Sequence, residues 1–66
     1  MTPQLLRGIL TNYERCYRDL CYEQTRLLRA GEDVSTVRTR LRFYGDEIKE
    51  LRPQVTALES VQRAAR

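Results

Sequence analysis

The chain has 66 residues, 32% of them charged and 41% hydrophobic, with a net charge of +3 and no histidine. That length allows one domain at most, and so small a core is marginal without cross-links, a metal or a partner. Acids and bases alternate along the chain, which argues against the one-sided basic surface of a dedicated nucleic-acid binder.

Thr2 followed by Pro3 is a helix start, a capping hydroxyl with proline at the first helical position. Leu6, Ile9, Tyr13, Cys16, Leu20 and Leu27 then recur at alternating steps of three and four, with Glu23 in the one polar slot. This heptad seam predicts a first helix over about residues 3–30, stopped by Gly31. Cys16 and Cys21 point about 140° apart on such a helix and cannot bridge each other. They read as small hydrophobes in a reducing compartment. Leu10, Tyr17, Cys21 and Leu28 lie outside the seam along one line and widen the apolar face to about 160°. A narrow facing helix leaves part of that surplus uncovered, which marks these four as the partner-binding residues. The alternative is that the stems of Arg38 and Arg52 fold over them.

Residues 31–33 form the turn, with Asp33 or Ser35 as the cap of the next helix. Val34, Val37, Leu41, Tyr44, Ile48, Leu51, Val55 and Leu58 keep the same spacing without a miss and predict a second helix over about residues 34–62. Pro53 predicts a kink on its outer face, or a break into a third short helix. Gly45 either makes room for the Tyr17 ring or ends the helix before Asp46. With a three-residue turn, partners across an antiparallel hairpin have numbers adding to about 64. That pairs Leu6 with Leu58, Tyr13 with Leu51, Leu20 with Tyr44 and Leu27 with Val37, so turn length and seam register agree.

The pairing also sets Asp19 beside Glu47 and Arg26 beside Arg40, two like-charge neighbours. A second, antiparallel copy or another protein of complementary charge would relieve both, and the alternative is that they are simply solvated charges. Arg26, Arg29, Arg38, Arg40 and Arg42 gather at the turn end with Phe43 beside them, a grip suited to an acidic protein surface or, as the alternative, to nucleic acid.

The fold expected is all-α: an antiparallel, coiled-coil-like two-helix hairpin, completed as a four-helix bundle by dimerisation or by a partner helix. The function expected is that of a small adaptor, assembly factor or chaperone-like module binding itself, as a homodimer, or another protein. Accessory nucleic-acid binding and a structural coiled-coil segment of a larger assembly are the alternatives. No catalytic residue is assigned, since no nucleophile has an evident base and no glycine-rich phosphate loop occurs. Two cysteines without histidine make no zinc site, so neither a metal nor a cofactor is expected, and no small-molecule substrate. No apolar run reaches membrane-span length and residues 1–10 lack a leader's basic-then-apolar form. The location expected is intracellular, in the cytoplasm.

Overall fold

The structure, a computed structural model, describes residues 2–65. Two helices, α1 (Pro3–Arg29) and α2 (Ser35–Ala64), pack against each other as a hairpin measuring 54 × 15 × 14 Å. No strand occurs among the described residues.

Each helix end is satisfied locally. Thr2 is the N-cap of α1, its Oγ1 accepting from the Leu5 amide at 3.2 Å. At the other end Gly31 sits at φ +70°, the left-handed conformation that costs a side-chain-bearing residue. The Gly31 amide donates to the Leu28 carbonyl and the Glu32 amide to the Leu27 carbonyl, at 3.2 and 2.9 Å. Together these form a complete Schellman motif. The chain then re-enters a helix through Asp33, whose Oδ1 accepts from both the amide and the hydroxyl of Ser35, at 3.0 and 2.6 Å. Those bonds, the hydroxyl first, hold the Asp33 carboxyl below its ordinary range. The N-cap position itself is Val34, without a side-chain cap, so neither Asp33 nor Ser35 occupies it; Asp33, one residue earlier, accepts from the first helical amide instead. The second helix begins one residue later than the seam suggests because Val34 has left the helical conformation (φ −109°, ψ 8°).

α2 runs unbroken through Gly45 and Pro53, so neither residue divides it. Pro53 faces outward and exposed, where the carbonyl that loses its helical donor meets solvent rather than the core.

The core is Leu6, Leu10, Ile48 and Val55, with Tyr13 and Leu51 packed on it, and Val34 and Val37 are buried at the turn end. Leu10 is 1% exposed, whereas its seam neighbour Ile9 is only half-buried. That corrects the place given to Leu10, which is an internal core residue and has no surface to offer a partner. The cause is helical geometry. A strict seven-residue line drifts by about 20° per heptad on a helix of 3.6 residues per turn. The line beside the seam is therefore buried at the open end and emerges toward the turn.

Candidate functional site

An antiparallel hairpin has two flanks where side chains of both helices meet solvent. Here they differ in chemistry, and the difference follows from which residues the heptads place on each.

The first flank is closed by ion pairs. Arg7 donates to Glu59 through both Nη2 and Nε, at 2.7 and 3.2 Å. Arg52 Nη2 donates to Glu14 at 2.7 Å. Hydrogen bonding from Arg7 holds the Glu59 carboxyl below its ordinary range and raises Arg7 in return. Between these pairs and the turn, the Tyr17 ring lies against Gly45, its Cε2 3.5 Å from where a Cβ would stand. The ring meets Gly45 as expected, but at an ordinary packing distance that an alanine methyl would also fit. The proposed partner-binding line thus divides along its length. Leu10 is internal, Tyr17 is 39% exposed, Cys21 is half-buried, and Leu28 is 54% exposed at the turn end. Arg52 is tied to Glu14 and covers the middle of this flank.

The second flank carries no inter-helix ion pair among the described residues. Its heptad positions are filled by Leu5, Asn12, Asp19 and Arg26 on α1 and by Arg40, Glu47, Gln54 and Val61 on α2. Midway along it is a notch of about 560 Å³ floored by Cys16, Leu20, Phe43 and Tyr44, with Asp19 and Arg40 on its rim. Phe43, Tyr44 and Tyr13 pack edge to face, with ring centroids 5.2 to 6.5 Å apart, a favourable arrangement of ring quadrupoles. Phe43 nevertheless stays 53% exposed. At the open end of the same flank Leu5 and Val61 stand exposed, with Leu58 beside them. On the α1 side Tyr22 is 71% exposed.

Leu5, Tyr22, Leu58 and Val61 were missed as surface features. Leu58 was assigned to the seam, and the others fall outside both the seams and the line of Leu10, Tyr17, Cys21 and Leu28. Only the flank shared by two helices assembles them.

Of the basic cluster, Arg26 is engaged by Glu23 at 2.6 Å on its own helix, which relieves its expected conflict with Arg40. Arg29, Arg38, Arg40 and Arg42 are exposed and form no ion pair among the described residues. Cys16 and Cys21 are free thiols. No group of three metal-binding side chains occurs among the described residues. Among the described residues no helix is long and apolar enough to cross a membrane. No protein-family model, curated protein or solved structure matches the chain.

Proposed function

We propose that the protein is an interaction module that binds another polypeptide through its open flank, the one floored by Cys16, Leu20, Phe43 and Tyr44. The observation that supports this most is the asymmetry of the flanks. One is bridged by Arg7–Glu59 and Arg52–Glu14, while the other leaves Phe43, Leu5 and Val61 in solvent after folding. Scattered exposed apolar residues need no explanation, and what singles out this flank is an exposed ring beside an apolar-floored notch. The size of the chain points the same way, because a six-residue buried core gains most from further apolar burial. Leu28 and Tyr17, at the turn end of the opposite flank, extend the reachable surface for a partner helix that wraps the turn.

A photo-reactive amino acid placed at Phe43 in the native cell should yield a covalent protein adduct, and the same group at Arg18, on the outer face of α1, should not. Absence of any adduct at Phe43 would remove the basis for this reading. Nucleic-acid binding has less support, since Arg26 is held by Glu23 and Phe43 is engaged with two tyrosines. Its signature would be duplex or single-strand binding that weakens steeply with salt.

A further inference from the structure

We infer that the notch of the open flank is closed by a second copy of this chain lying parallel to the first, with Asp19 of each copy paired to Arg40 of the other. This rests on the interaction reading above and names the partner. It follows from what stands on the two walls of the notch.

Asp19 rises from α1 and Arg40 from α2, and both line the one notch. Both are exposed, and neither forms an ion pair among the described residues. The flank thus carries an acid on one helix and a base on the other at the same level of the hairpin. Rotation by 180° about an axis running along the flank lays α1 of each copy on α2 of the other. Asp19 then meets the other copy's Arg40, and Arg40 meets its Asp19. A two-fold running across the hairpin at this level would instead set acid on acid and base on base, so the charges select the parallel arrangement. A surface that is its own complement about a two-fold is what an isologous interface requires. An unrelated partner gives no reason for the acid and the base to stand level.

Phe43 fits the same operation. It leans from α2 onto Tyr13 of α1, with ring centroids 6.5 Å apart, so it stands close to the axis while 53% exposed. The second copy covers the exposed part of the ring with its own Cys16 and Leu20, the α1 side of its notch. The same contact repeats in reverse across the axis. Two apolar floors thereby close on each other and take aromatic surface out of water on both copies.

Parallel docking also engages the open end. Arg7 reaches Glu59, which puts Leu5 of α1 near the level of Leu58 and Val61 of α2, all three exposed. The rotation that pairs Asp19 with Arg40 brings the edge carrying Leu5 onto the edge carrying Leu58 and Val61. Over a face of 54 × 15 Å the footprint is at most on the order of 800 Å² per copy, the size of a standard specific interface.

The test is sedimentation equilibrium of the full chain from about 1 to 500 µM at low salt, with helicity followed by circular dichroism. The wild type should pass from monomer to dimer across this range. Asp19→Arg makes both walls of the notch basic, and Arg40→Asp makes both acidic. Each alone should dimerise at least about tenfold more weakly, because two attractive contacts become two repulsive ones. An equimolar mixture of the two should form heterodimers. Asp19→Arg with Arg40→Asp exchanges the walls and should dimerise as the wild type does, a result that only self-pairing of the two walls predicts. Wild-type dimers that neither single variant weakens, or a mixture of the two that stays monomeric, would overturn the inference. So would an exchanged variant of wild-type helicity that stays monomeric. A Phe43 adduct with the mass of two chains supports both this pairing and the interaction reading. A monomeric wild type whose Phe43 cross-links to a different protein overturns the second copy and leaves the interaction reading standing. A monomer that gives no cross-link overturns both.

Discussion

Gly31 and Gly45 show how one residue type serves opposite ends at two places. At Gly31 the backbone is left-handed, φ +70°, so Gly31→Ala should lower stability by about 1 kcal/mol although its added methyl meets no neighbour. At Gly45 the backbone is helical, and an added methyl would stand 3.5 Å from the Tyr17 ring, an ordinary packing distance. Gly45→Ala should therefore raise stability by about 0.5–1 kcal/mol through helix propensity. Urea unfolding followed by circular dichroism reads both signs in one experiment. Leu10→Ala, by contrast, removes one of the two most enclosed side chains and should cost about 2–5 kcal/mol. Gly31 was legible in the sequence as a stop signal because its role is local. Leu10 was not, because its burial depends on how the second helix lies against the first.

At the scale of the elements, α2 contains a proline that neither breaks it nor ends it. Removing the strain by Pro53→Ala should raise the melting temperature by the equivalent of about 1–3 kcal/mol, since proline inside a helix is roughly 3 kcal/mol worse than alanine and part of that is offset in the unfolded chain. The ion-paired flank sets the response to acid. Arg7 depresses the Glu59 carboxyl below its ordinary value of 4.5. The resulting stabilisation is complete above that value and is lost as pH falls through the lower folded one. Thermal melts between pH 6 and pH 2 should show a larger loss for the wild type than for Arg7→Gln. The two helices and the turn between them could be read from spacing, because each follows from steps of three and four and from capping chemistry; the register could not, since Tyr13, expected opposite Leu51, packs on Tyr44, the expected partner of Leu20. The chemistry of the flanks could not, because the partners Arg7 and Glu59, or Glu14 and Arg52, lie 52 and 38 residues apart. Whether a polar residue faces water or its counterpart follows from side-chain reach across the hairpin.

For the whole molecule, folding and association draw on the same small stock of apolar surface. If a second copy binds only the folded hairpin, the melting temperature rises with chain concentration. A hundredfold dilution should then lower the melting temperature of the wild type more than that of Phe43→Ala, which removes the exposed ring of the open flank.

The tight cap at Gly31 has a consequence at the opposite end of the hairpin. Because α1 and α2 differ by only three residues in length, and Arg7 reaches Glu59 near their far ends, the first turn of α1 and the last turns of α2 lie side by side. A hairpin whose open helix ends adjoin can be spliced into a surface loop of an unrelated host without stretching it. Grafted so, this hairpin would hold its turn some 54 Å out from the host, a stalk whose tip carries Arg29, Glu32 and Arg38.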